Sequence, residues 1–149
     1  MIHKDYDEMT GVGSLTTNDF MVAKSGGFLS PKVTLELRLF VSSVSSGKHY
    51  FFVFNKTATA WSLLKNQSFF ALIDGERFST EGKMRNSETF SDGSTVWCAE
   101  NMTVEFDAAT FEKMAYATNI KIRVAGADHE LDSSVKAAIK EINEVAKSL

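Results

Sequence analysis

Between Val33 and Val41 the chain alternates without a break. Val33, Leu35, Leu37, Leu39 and Val41 fall on one side of an extended backbone, and Thr34, Glu36, Arg38 and Phe40 on the other. Successive side chains of a strand point to opposite faces, so this pattern predicts a strand with one buried face. Tyr50-Phe51-Phe52-Val53-Phe54 is apolar on both faces, as in a central strand or one covered by another layer. Ser42-Ser43-Val44-Ser45-Ser46-Gly47 lies between the two runs and predicts a hairpin.

Turn chemistry repeats this theme. Phe69-Phe70-Ala71-Leu72-Ile73 and Glu76-Arg77-Phe78-Ser79 flank Asp74-Gly75, a strong two-residue hairpin signal because both turn residues need positive φ. Ser91-Asp92-Gly93-Ser94 sits in the same way between Thr89-Phe90 and Thr95-Val96-Trp97-Cys98. Met102 to Phe106 alternates once more, and a further strand is expected near Asp19 to Lys24.

The last forty residues read as helix, strand, turn, helix. Asp107 is placed to cap a short helix, with Phe106 and Phe111 as a hydrophobic staple and Phe111, Met114 and Ala115 on one face. Asn119 is expected to end it in the left-handed conformation. Ile120, Ile122 and Val124 alternate with Lys121 and Arg123, and Gly126 turns the chain. Asp132 then caps a helix whose Val135, Ala138, Ile139, Ile142, Val145, Ala146 and Leu149 form one apolar stripe.

Composition bounds what this pattern can do. At 149 residues the chain fits one domain, residues 1–149, with a polar, acidic stretch 1–16 expected to be loosely ordered. A single cysteine rules out an internal disulfide framework and a cysteine-rich zinc site. A net charge of -3 argues against a general nucleic-acid backbone binder. No apolar run reaches the ~18 residues of a membrane-spanning helix. The start MIHKDYDEMTG shows no signal-peptide pattern, which fits either a cytoplasmic protein or one whose leader has been removed.

The acidic start Asp5, Asp7, Thr10, Gly11, the Asp74-Gly75 hairpin and the strand Ile120, Ile122, Arg123, Val124, Gly126 together resemble a loose group of bacterial proteins, often exported, that have no assigned activity. The resemblance spans most of the chain and implies a periplasmic or secreted location rather than any chemistry. The count of strands before a terminal helix also resembles a pleckstrin-homology-type barrel, from which the helix before the penultimate strand departs.

Several residue pairs have spacings that suit chemistry. Cys98 with His49 or His129 would give a nucleophile and a base, but Val96-Trp97-Cys98-Ala99 is strand-like, and a free cysteine is usually a small buried hydrophobe. Ser45/Lys48, Ser62/Lys65 and Ser133/Lys136 carry the serine–lysine acylase spacing without its companion motifs. The three histidines have no metal-ligand spacing. Asp5, Asp7 and Glu8 are carboxylates that could hold calcium, and Asn55, Asn66 and Asn101 fit the glycosylation acceptor pattern.

The aromatics Tyr50, Phe51, Phe52, Phe54, Trp61, Phe69, Phe70, Phe78, Phe90 and Trp97 either fill a two-layer core or line a cavity or recognition face. The reading is an α+β fold: a mostly antiparallel curled sheet, sandwich or partly closed barrel of about six to eight strands, with a short helix and a C-terminal amphipathic helix packed on it. No residue is assigned a catalytic, cofactor-binding or metal role. The expected function is a non-enzymatic binding or accessory domain for a protein or small apolar ligand. The alternative is an enzyme or apolar-ligand barrel with an interior aromatic-lined site.

Overall fold

The computed structural model describes residues 1–149. In chain order its strands are β1 (Ile2–Asp7), β2 (Val12–Thr17), β3 (Phe20–Ser25), β4 (Val33–Val44), β5 (Gly47–Ala58), β6 (Ser68–Ile73), β7 (Glu76–Glu81), β8 (Lys83–Ser91), β9 (Val96–Phe106), β10 (Ile120–Val124) and β11 (Ala127–Glu130). Helix α1 (Ala108–Ala115) precedes β10, and helix α2 (Ser133–Ala146) ends the fold.

These strands form two antiparallel sheets. The large sheet runs β1-β2-β4-β5-β9-β8, with β3 also on β4, and the small one runs β11-β10-β6-β7. Neither closes into a barrel, so the barrel resemblance does not hold, and the α+β sandwich with two helices does. The eleven strands exceed the six to eight expected because several are short. β2 and β3 share one edge of β4: β2 pairs with Phe40–Ser43 and β3 with Val33–Leu37. At the hand-off the Leu39 N–H donates to Thr17 Oγ1 at 3.0 Å, so a buried side chain fills the gap in the ladder. The stretch 1–16, whose composition suggests loose order, falls in the β1–β2 hairpin (Ile2–Thr17) at the sheet edge.

The inner faces of both sheets and the two helices close on one core. Leu35, Leu37, Leu39 and Val41 of β4 are buried as the alternation requires. Phe52 and Phe54 meet Phe69 of the small sheet at ring-centroid distances of 6.1 and 6.0 Å, and Phe106 packs on Phe52 at 4.6 Å. Phe111 of α1 stacks on Tyr50 at 4.8 Å. The interior is therefore packed with aromatic rings. Val135, Ile139, Ile142 and Ala146 of α2 face this core.

Both predicted N-caps form. Asp107 accepts from the Thr110 N–H at 2.6 Å, and Asp132 from the Val135 N–H at 3.0 Å. Asn119 does not adopt the left-handed conformation; α1 ends at Tyr116 with φ −108°. The reason lies across the fold. The Asp74 carboxylate accepts from the N–H groups of Thr118 and Asn119 at 3.0 and 2.8 Å, so this connection is held from outside. Asp74 and Gly75 take φ 49° and 83°, the two-residue hairpin that the sequence predicts. Asp92-Gly93 differs. It lies in a four-residue loop between β8 and β9, where the Asp92 carboxylate accepts from the Ser94 and Thr95 N–H groups and the Trp97 indole. Those bonds hold the Asp92 carboxyl far below the usual carboxylate range, the indole contributing most.

Ile139 is fully buried while Lys140 faces solvent. Ile139→Ala is expected to destabilise by ~2–5 kcal/mol and Lys140→Ala by less than about 0.5 kcal/mol; thermal unfolding compares them, and equal midpoints would show that α2 does not close the core. The β10–β11 turn places Ala125 at φ 53° before Gly126 at 76°. Alanine pays a steric penalty there that asparagine largely avoids, so Ala125→Asn should raise stability by about 0.5–1 kcal/mol, read from a urea-unfolding midpoint.

Candidate ligand groove on the small sheet

The outer face of the small sheet is uncovered. β6 buries Phe69, Ala71 and Ile73 and therefore turns Phe70 and Leu72 outward, 46% and 39% exposed. Strand register sets their neighbours. Across the sheet one row reads Ser79, Phe70, Arg123, Asp128, and the next reads Arg77, Leu72, Lys121, Glu130. Two apolar side chains thus form a floor between Arg77 on β7 and Lys121 and Arg123 on β10. They line a groove of about 500 Å³, the size that takes a small organic ligand (about 300–1,000 Å³).

The charges are unevenly matched. Arg123 donates to both Asp128 oxygens, at 2.5 and 3.2 Å. This two-point bond pushes the Arg123 pKa up and holds the Asp128 carboxyl below its usual range. Arg77 and Lys121 have no carboxylate within ion-pair distance. Glu130 stands opposite Lys121 without closing on it. The groove can accept an anionic group at either wall while its floor takes apolar surface.

The residues singled out from sequence are dispersed. Cys98 is buried on the inner face of β9, opposite Ala58 at one end of the β5–β9 ladder. His49 lies beyond the other end, roughly 30 Å along the strand at about 3.3 Å per residue, and on the opposite face. His129 pairs with Ile122 in the small sheet and makes no hydrogen bond to Cys98. Burial lowers the His129 pKa, and the nearby Lys56 lowers it further. Ser45 lies in the β4–β5 turn, just before Lys48 of β5. The Ser62 hydroxyl donates to Glu100, and the Lys136 ammonium to the Thr118 carbonyl, so neither Ser62/Lys65 nor Ser133/Lys136 forms a hydrogen-bonded pair.

Asp7 turns inward on its own hairpin, accepting from the Met9 N–H at 2.9 Å, and no three metal-ligating side chains gather there or elsewhere. Asn55 and Asn101 hydrogen-bond to each other at 2.5 Å across β5 and β9, so two of the three acceptor patterns lie within a sheet. The aromatic set divides. Tyr50, Phe52, Phe54 and Phe69 fill the core; Phe51 meets Phe40 on the outer face of the large sheet at 5.9 Å; Phe70 floors the groove.

One buried acid escaped the sequence reading. Glu100 points inward from β9, 3% exposed, between Cys98 and Met102. It accepts from the Ser62 N–H at 3.0 Å and the Leu64 N–H at 2.6 Å. Its place in an alternating strand put it on the core face, which was the available signal. The carboxylate anchors the β5–β6 connection, whose Leu63 is fully buried.

Comparison with protein-family models, with curated proteins and with solved structures found no match.

Removing the Glu100 acceptor strands two backbone donors. Glu100→Ala should destabilise by about 2–4 kcal/mol, and Glu100→Gln, which keeps one oxygen, by less. Proteolysis between Trp61 and Gln67 should quicken in the same order; an unchanged cleavage rate would show that the loop holds without Glu100.

Proposed function

We propose that this protein is a non-enzymatic binding domain whose small-sheet groove takes an amphipathic anion, an aliphatic or aromatic body carrying a carboxylate or sulfonate. The observation that carries the reading is the exposed Phe70–Leu72 floor between the unpaired Arg77 and Lys121. Apolar surface supplies the favourable contact area. The cations fix which end of the ligand lies at the rim, and an ammonium beside apolar walls gains more from an anion than one in open water. The ring-filled core speaks against an interior ligand chamber. The groove lies on regular strands, so its side chains are held in place before a ligand arrives.

Titration calorimetry with dodecanoate, and amide shift mapping with 1-anilinonaphthalene-8-sulfonate, test this. Binding should centre on β6 and β10 and weaken about tenfold or more in Phe70→Ser and in Lys121→Glu. Arg38→Glu, on the outer face of the large sheet, should leave it unchanged. Absence of binding to the native protein, or native affinity retained by Phe70→Ser and Lys121→Glu, would overturn the proposal.

A further inference from the structure

The connection from β3 to β4, residues 26–32, carries at its tip two apolar side chains left to solvent. Phe28 is fully exposed and Leu29 is 93% exposed. The loop is nevertheless closed at its neck: the Gly27 N–H donates to the Ser30 carbonyl at 2.9 Å. Gly26 has φ +82°, and a Cβ there would lie 1.9 Å from the Pro31 carbonyl oxygen. Only glycine lets the two arms approach this closely. The geometry holds Phe28 and Leu29 away from the core.

The surroundings are cationic although the chain is acidic. Between Asp19 and Glu36 the sequence has Lys24 and Lys32 and no acid. At the root of the loop a second cavity of about 200 Å³ is lined by Lys24, Ser25, Lys56 and His129. None of Lys24, Lys32 and Lys56 has a carboxylate within ion-pair distance. Asp128, the acid beside His129, is engaged by Arg123. The other exposed apolar tip gives the contrast: Met9 of the β1–β2 turn sits beside Asp7 and Glu8.

We propose that the Phe28–Leu29 loop inserts into an anionic phospholipid bilayer, with Lys24, Lys32 and Lys56 facing the headgroups. The shape favours a bilayer over a protein partner. Two side chains on a narrow projection fall far short of the ~800 Å² that each partner of a stable protein complex buries. A fluid bilayer closes around a projection without a matching pocket. The lysine stems lie along the apolar boundary while their ammonium groups stay with the phosphates. Two apolar residues and a few cations give weak, reversible attachment rather than permanent anchoring. This site is separate from the small-sheet groove and does not depend on its ligand.

Co-sedimentation with vesicles of phosphatidylcholine mixed with phosphatidylglycerol tests the proposal at low and high salt. The native protein should bind the mixed vesicles at low salt, release at high salt, and bind pure phosphatidylcholine far less. Phe28→Ser/Leu29→Ser should weaken partitioning about tenfold or more, and Lys24→Glu/Lys32→Glu by a similar factor. All four side chains are exposed, so unchanged thermal midpoints should accompany these losses. In Phe28→Trp, the added emission should shift to the blue with mixed vesicles. Absence of sedimentation with mixed vesicles, or equal binding by the Phe28→Ser/Leu29→Ser protein, overturns it. Loop-dependent capture of a protein without vesicle binding reassigns the loop to a protein surface and also overturns it.

Discussion

The aromatic junction around Phe52 is the contact on which the rest of the molecule depends. Its ring lies 4.6–6.4 Å from those of Phe54, Phe69, Phe106 and Phe111. Those residues come from β5, β6, β9 and α1, so one side chain touches both sheets and a helix. Rings at these distances combine large apolar area with favourable edge-to-face geometry. The small sheet makes few backbone contacts with the large one. Side-chain packing at this junction therefore sets how the two sheets are joined, and with it the direction in which Phe70 and Leu72 face.

Local chemistry was readable in the sequence where it acts locally. The alternation from Val33 to Val41, the caps Asp107 and Asp132, and the Asp74-Gly75 turn all appear as the residues require. What the sequence did not display were choices among distant partners. Alternation names a buried face without naming the neighbouring strand, so which strand joins which sheet was hidden. The hand-off from β2 to β3 depends on Thr17 meeting Leu39, a contact across 22 positions. Asn119 was misjudged for the same reason, since Asp74 holds its amide from another hairpin.

The groove was illegible for a related cause. Phe69 to Ile73 is apolar at every position, so its pattern does not tell the buried face from the outer one. Nothing in the run itself shows that Phe70 and Leu72 lack a covering layer. The cations come from β7 and β10, and only the β6–β10 pairing sets Lys121 beside Leu72 and Arg123 beside Phe70. The exposed Phe28-Leu29 tip was closer to view. Two apolar residues between paired glycines and a Ser-Pro form no periodic pattern, and a short turn cannot bury them.

The order of strands also bears on synthesis of the chain at the ribosome. β6 lies in the middle of the small sheet, yet its partner β10 is translated only after residues 74–119. At about 5–20 residues per second this interval is roughly 2–10 s. Throughout it, the β6–β7 hairpin exposes one edge of an uncharged, strand-prone run, Phe69 to Ile73, the kind of segment that pairs with copies of itself. Lys65 before it and Asp74, Glu76 and Arg77 after it act as charged gatekeepers at its ends. The same charges that shape the finished turn and groove wall thus protect the nascent chain until β10 is made.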